Sequence, residues 1–166
     1  IYCGLFDYVV QFAKDRGYKI TNPSIKENNI SLDDVISFLI NHLKIPYTPH
    51  EHQVEAIRIA INKNRCLLLS PTGSGKSLMI YSLIRYYLDI LPKDKKILII
   101  VPTTGLVSQM YSDFKEYSNK TDWDSEKNCH TIFAGQDKET NKRVVISTWQ
   151  SIYKMDEKYF NQYHAV

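Results

Sequence analysis

Long apolar runs are missing from this sequence. The longest, at residues 66–69 and 97–101, fall far short of the roughly 20 residues that cross a bilayer as a helix. Cysteine is scarce as well. Cys3, Cys66 and Cys129 are odd in number, widely separated and without metal-ligand spacing, so no disulfide framework is expected. They read as reduced, mostly buried thiols of a cytoplasmic protein. Charge of one sign is not in excess: a net +3 permits nucleic-acid binding without arguing for it. There is no low-complexity stretch, no internal repeat and no cationic leader ahead of an apolar segment. The first residue is Ile1 rather than Met, and Ile1-Tyr2-Cys3-Gly4-Leu5-Phe6 looks like a cut into a longer polypeptide.

What is present is an ordinary globular composition, 43% hydrophobic and 23% charged over 166 residues, enough for about one domain with one sizeable core. Leu5, Val9 and Phe12 recur at helical spacing within residues 4–16, with Gly17 as a stop. Residues 18–21 read as a short strand ended by Asn22-Pro23. Ser31, followed by Asp33 and Asp34, opens a second helix through His42, with Leu32, Val35, Ile36, Leu39 and Ile40 on its apolar face. Ile45-Pro46-Tyr47-Thr48-Pro49 breaks that pattern and marks the expected boundary. Residues 1–44 carry five basic and five acidic side chains, so the charge excess follows it.

Beyond position 50 strands and helices alternate. A helix is expected over 51–62, a buried strand over 66–69, a glycine loop, and a helix from Gly75 to about Ile90. A strand at 96–101, a helix at 106–117, shorter strands at 130–134 and 144–148 and the start of another at 164–166 complete the pattern. Continuous Leu/Ile/Val runs separated by helices predict an α/β fold with a parallel sheet covered on both faces.

The glycine loop is Ser70-Pro71-Thr72-Gly73-Ser74-Gly75-Lys76-Ser77. Gly73 and Gly75 allow the backbone to curl so that consecutive N–H groups aim at one anion. A helix opening there adds its unpaired N–H groups and positive dipole end. Lys76 supplies a mobile charge for β- and γ-phosphates, and the Ser77 hydroxyl is placed to ligate Mg²⁺, so ATP with Mg²⁺ is the expected ligand. The general motif begins with glycine, whereas this loop begins with Ser70.

Gln53, the loop from Pro71 to Ser77, Val101-Pro102-Thr103-Thr104-Gly105-Leu106-Val107-Ser108-Gln109 and Ser147-Thr148-Trp149-Gln150-Ser151 together resemble the first motor domain of superfamily 2 helicases. The resemblance covers about residues 46–166. It extends to phage recombination helicases of the UvsW type, which have similar Ile-Val-Pro-Thr-Thr and Thr-Trp-Gln segments. The stretch from Gly4 to Tyr18 resembles the end of that family's small accessory domain. The resemblance implies a RecA-like fold over 46–166, preceded in 1–45 by the C-terminal part of an accessory α+β segment. It implies that Gln53 reads the adenine edge, through an amide that both donates and accepts. It implies further that Thr103, Thr104 and Gly105, with Thr148 and Gln150, hold a nucleic-acid backbone through hydroxyl and helix N–H contacts. Residues 134–138 occupy the place of a further backbone-contacting turn, or are a plain surface turn.

The family's acidic metal-holding motif is expected just beyond Val166. Asp156-Glu157 reads as a loop-to-helix segment instead. A second RecA-like domain of the same polypeptide is the expected partner, and DNA the expected substrate. The reading is therefore the ATP-binding domain of an ATP-dependent DNA helicase, inactive by itself. The alternatives are a translocase subunit of a restriction or chromatin-type motor, a non-catalytic nucleotide-binding fragment, and a small-molecule kinase.

Overall fold

A computed structural model of the chain describes residues 6–19, 28–133 and 135–166. Helix α1 (Phe6–Asp15) ends where Gly17 takes a left-handed φ of 68° and Tyr18 N–H closes onto the Ala13 carbonyl at 2.9 Å. Tyr18 and Lys19 form no strand, and the rest of the strand expected at 18–21 lies outside the described residues.

Helix α2 (Leu32–Ser37) starts at a capping box. Ser31 Oγ accepts from Asp34 N–H at 3.1 Å, and Asp34 Oδ2 accepts from Ser31 N–H at 3.0 Å. It runs on into one π-helical turn, Phe38–His42. The apolar face is narrower than expected. Val35, Leu39 and Leu43 repeat every four residues and are buried, whereas Leu32, Ile36 and Ile40 form the adjacent stripe and face out. The buried stripe faces α3 (Glu51–Lys63), while Phe38 and His42 of the π-helical turn reach Tyr86 and Asp89 in the helix that follows the glycine loop. Asn62 of α3 grips both backbone groups of Ile30, accepting from its N–H at 2.8 Å and donating to its carbonyl at 3.1 Å.

The remaining elements are α4 (Lys76–Ile90), β1 (Lys96–Val101), α5 (Thr104–Tyr117), α6 (Ser125–Asn128), β2 (Cys129–Ile132), β3 (Val144–Thr148), α7 (Trp149–Ile152), α8 (Glu157–Phe160) and β4 (Tyr163–Ala165). The four strands form one parallel sheet in the order β2-β3-β1-β4, with Ile97 opposite Val144 and Val101 opposite Thr148. Alternation along β1 and β3 divides the core in two. Ile97, Ile99, Val101, Val144 and Ile146 pack with residues of α2 to α5 on one face. Leu98, Val145 and Ile132 pack with Ile152 of α7 and Tyr159 of α8 on the other. This is the covered parallel sheet that the apolar runs predict.

The expected strand at 66–69 is not one. Among the described residues no strand pairs with it, and Leu67 and Leu69 are 85% and 90% exposed. An apolar run becomes a strand only when a neighbour takes up its N–H and C=O groups. Here the segment is an unpaired connection between α3 and the glycine loop. Cys66 is consequently exposed, against the expectation of buried thiols, whereas Cys129 on β2 is buried.

The far end of α4 is fixed by Arg143, just before β3. Its guanidinium donates to the carbonyls of Leu88 (3.1 Å), Leu91 (3.3 Å), Pro92 (3.1 Å) and Lys95 (3.3 Å). The Leu88 and Leu91 carbonyls belong to the end of α4, where carbonyls run out of helical partners, and a cation there also complements the helix dipole.

Candidate phosphate loop and nucleic-acid interface

The loop at 70–77 curls through two left-handed glycines, Gly73 at φ 80° and Gly75 at φ 79°. Gly75 is also the N-cap of α4, and a Cβ there would stand 2.2 Å from Gln53 Nε2. Only glycine meets both demands. Within the loop Ser74 N–H reaches the Pro71 carbonyl at 3.3 Å, its Oγ donates to the same carbonyl at 2.8 Å, and the Ser70 and Ser74 hydroxyls are bonded to each other.

Gln53 is 5% exposed and clamps the loop to α3. Its Nε2 donates to the Ser74 carbonyl at 2.9 Å, while Oε1 accepts from His50 N–H at 2.9 Å. His52 Nε2 reaches the same Ser74 carbonyl at 3.2 Å. The amide that the resemblance assigns to adenine therefore contacts the phosphate loop.

Lys76 bends back over its own loop, with Nζ donating to the carbonyls of Ser70 at 3.1 Å and Pro71 at 2.6 Å. Being exposed, it can exchange those carbonyls for phosphate oxygens without a burial penalty. The Lys76 and Ser77 N–H groups precede the first helical bond, Leu78 N–H to the Gly75 carbonyl at 3.1 Å, so they and the dipole end favour an anion. Ser77 Oγ is bonded to the Tyr117 hydroxyl at 2.9 Å, a partner from α5 that no sequence pattern announced. Burial raises the Tyr117 phenol above its ordinary range, against the opposing effect of the Ser77 bond, so it stays protonated. Among the described residues no group of three His, Cys, Asp or Glu could hold a metal. One hydroxyl beside a phosphate site still fits Mg²⁺, which keeps several waters and takes its other ligands from phosphates.

A second, separate cavity of about 560 Å³ lies at the carboxyl ends of β1 and β3. Thr103 and Thr104 come to it from the start of α5, Thr148 and Gln150 from the end of β3 and the start of α7. Gly105 stands one residue further into α5 and does not line it. Thr103 caps α5, its Oγ1 accepting from Leu106 N–H at 3.3 Å. Thr148 is buried and shares a 2.8 Å bond with Ser151 Oγ, making no cap bond of its own. Thr104 and Gln150 are exposed. Gly135, Gln136 and Lys138, from the ambiguous turn, also line this cavity. The rejected pair behaves as expected: Asp156 Oδ1 caps α8 by accepting from Tyr159 N–H at 2.9 Å. No helix among the described residues is long and apolar enough to cross a membrane.

The chain is 34% identical to the ATP-dependent DNA helicase uvsW of Enterobacteria phage T4, over 96% of its own length and 33% of that protein's. It thus spans about a third of that relative. A crystal structure of the UvsW helicase from bacteriophage T4 superposes with a TM-score of 0.80 at 32% identity, covering 96% of this chain and 58% of that one. The DEAD-box ATP-dependent RNA helicase 42 of Oryza sativa subsp. japonica is 34% identical over 52% of this chain and 8% of its own. Residues 46–165 match the family described as type III restriction enzyme, res subunit. The chain belongs to that family, as a RecA-like domain of the superfamily 2 helicase kind.

Proposed function

We propose that this chain is the ATP-binding motor domain of an ATP-dependent DNA helicase, working in the cytoplasm with a second RecA-like domain of the same polypeptide. Residues 1–45 belong, on this reading, to an accessory segment. The observation that carries it is the phosphate loop itself. Two left-handed glycines open α4, and Gln53 is locked against the loop carbonyl of Ser74. ATP would lie with its phosphates on Gly73, Ser74, Gly75, Lys76 and Ser77, held by backbone N–H groups and the Lys76 ammonium. Ser70, Pro71 and Thr72 shape the turn. Mg²⁺, held by Ser77, would neutralise charge on the transferred phosphoryl group. Gln53 touches the loop, so it is placed to couple adenine occupancy to loop shape.

The cavity formed by Thr103, Thr104, Thr148 and Gln150 would hold the DNA backbone, with hydroxyl, amide and Lys138 contacts that ignore sequence. The family match, described by a restriction-enzyme subunit, lends looser support to a second reading, the translocase subunit of a restriction or chromatin-type motor. Calorimetry with Mg²⁺ and ATP on the parent chain and on Lys76→Ala tests the shared core of both readings. Binding should weaken at least tenfold in the variant, and equal affinity at the same salt would overturn the assignment.

A further inference from the structure

Arg85 of α4 is a buried cation without an anion. It is 7% exposed, and no carboxylate lies within ion-pair distance of it among the described residues. Its Nη1 donates to the Tyr81 hydroxyl at 2.8 Å, and its guanidinium carbon lies 5.0 Å from the Trp123 ring centre and 5.7 Å from that of Tyr81. Ring faces compensate a desolvated guanidinium only in part, whereas burying an unpaired charge costs more. A guanidinium carries five N–H donors, and Tyr81 takes one. No buried nitrogen among the described residues is left unpartnered, and Arg85 lines the adjoining cavity of about 240 Å³.

The wall of that cavity collects further positive charge from two other segments. Lys44 follows the π-helical turn in a left-handed conformation, φ 47°, and Lys120 follows α5. Both are exposed at the mouth. His42 also lines the cavity, but Asp89 engages it at 2.9 Å. The one carboxylate on the wall is Asp122, exposed and in no ion pair among the described residues. Arg85, Lys44 and Lys120 thus face a single acidic group. A rigid guanidinium fork at the base with mobile ammonium groups at the rim suits an anion with several oxygens and more than one charge.

We propose that this cavity is a second phosphate-binding site, taking a phosphate of a nucleic-acid backbone or of a small phosphate compound on Arg85, with Lys44 and Lys120 closing over it. It is distinct from the phosphate loop. Arg85 lies nine residues beyond Lys76 along α4, roughly 13 Å along the helix axis, and the loop does not line the cavity.

Trp123 lines the cavity and is one of two tryptophans in the chain, so it reports occupancy in a Trp149→Phe background. Titration with pyrophosphate should give a saturable change in Trp123 fluorescence. The exposed pair Lys44→Ala and Lys120→Ala should raise the apparent Kd about tenfold or more with an unchanged melting temperature, and Lys76→Ala should leave it where it was. A single-stranded oligonucleotide that displaces pyrophosphate identifies the backbone as the source. Failure to displace it identifies a small phosphate compound, and either result supports the site. No saturable change up to millimolar pyrophosphate, or a change lost in Lys76→Ala and kept in the double lysine variant, overturns the proposal.

Discussion

Ser77 Oγ and the Tyr117 hydroxyl lie 2.9 Å apart, so the side chain placed to meet a metal ion is already committed to α5. That bond must break before Ser77 can turn to Mg²⁺, and a bond of this kind is worth about 0.5–1.5 kcal/mol net. Tyr117→Phe should therefore tighten Mg²⁺–ATP binding about two- to tenfold, with a small loss of stability. Calorimetry in Mg²⁺ shows it, and in a Ser77→Ala background the gain should vanish. An unchanged affinity in Tyr117→Phe with Ser77 intact would mean the two partners do not compete.

Gly75 is constrained twice, once by its backbone and once by a neighbour. Ala at this position pays about 1–2 kcal/mol for its left-handed φ and collides with Gln53 as well. Gly75→Ala should lower the melting temperature by several degrees and abolish nucleotide binding. In a Gln53→Ala background the same change should cost less, because the collision is gone and only the backbone strain remains. Equal costs in the two backgrounds would show that the amide does not press on the loop.

At the second cavity Thr103 and Thr148 are already used within the fold, one as a cap and one bonded to Ser151. Thr104 and Gln150 are the free probes. Thr104→Ala with Gln150→Ala should weaken binding of labelled single-stranded DNA in an anisotropy titration without moving the melting temperature. Lys138→Ala should weaken it too, and reduce the slope of log affinity against log salt by about one. A double variant that melts several degrees lower and binds as before would reassign those residues to folding.

Alkaline pH should destabilise the fold. Burial pushes the Cys129 thiol from its ordinary 9.0 up to about 12, and raises the phenols of Tyr81, Tyr87, Tyr111 and Tyr117 in the same sense. Above the ordinary thiol value the unfolded chain gives up protons that the folded chain keeps. The folded state then binds more protons, so stability falls as pH rises through that window. Urea midpoints measured from about pH 7 to about pH 10.5 should decline, and Cys129→Ala should flatten part of the slope. A midpoint that holds or rises would contradict the burial argument.

The apolar runs of β1 and β3 were legible because β3 is buried throughout and β1 at Ile97, Leu98, Ile99 and Val101, so their hydrophobicity needs no alternation to be seen. The loop at 70–77 was legible because its chemistry is local. Residues 66–69 look the same in composition as β1, but pairing is a property of the neighbour, and no strand among the described residues supplies one. The choice between the Val35/Leu39/Leu43 stripe and the Leu32/Ile36/Ile40 stripe was likewise made by the neighbours α3 and α4, not by the helix. Arg85, Lys44 and Lys120 stand on three segments with no shared spacing, and Tyr117 meets Ser77 only through the packing of α5 on α4.

The parallel sheet also dictates when this chain can begin to assemble during synthesis. No two neighbouring strands are joined by a hairpin, and β1, at Lys96–Val101, finds its first partner in β3, which starts at Val144. At about 5–20 residues per second a ribosome takes several seconds to deliver that partner. Through that interval the Ile97–Ile100 segment has emerged with its backbone groups unpaired, and β4 comes later still. Translation speed between these two strands therefore bears on the yield of folded protein as directly as any contact within the finished sheet.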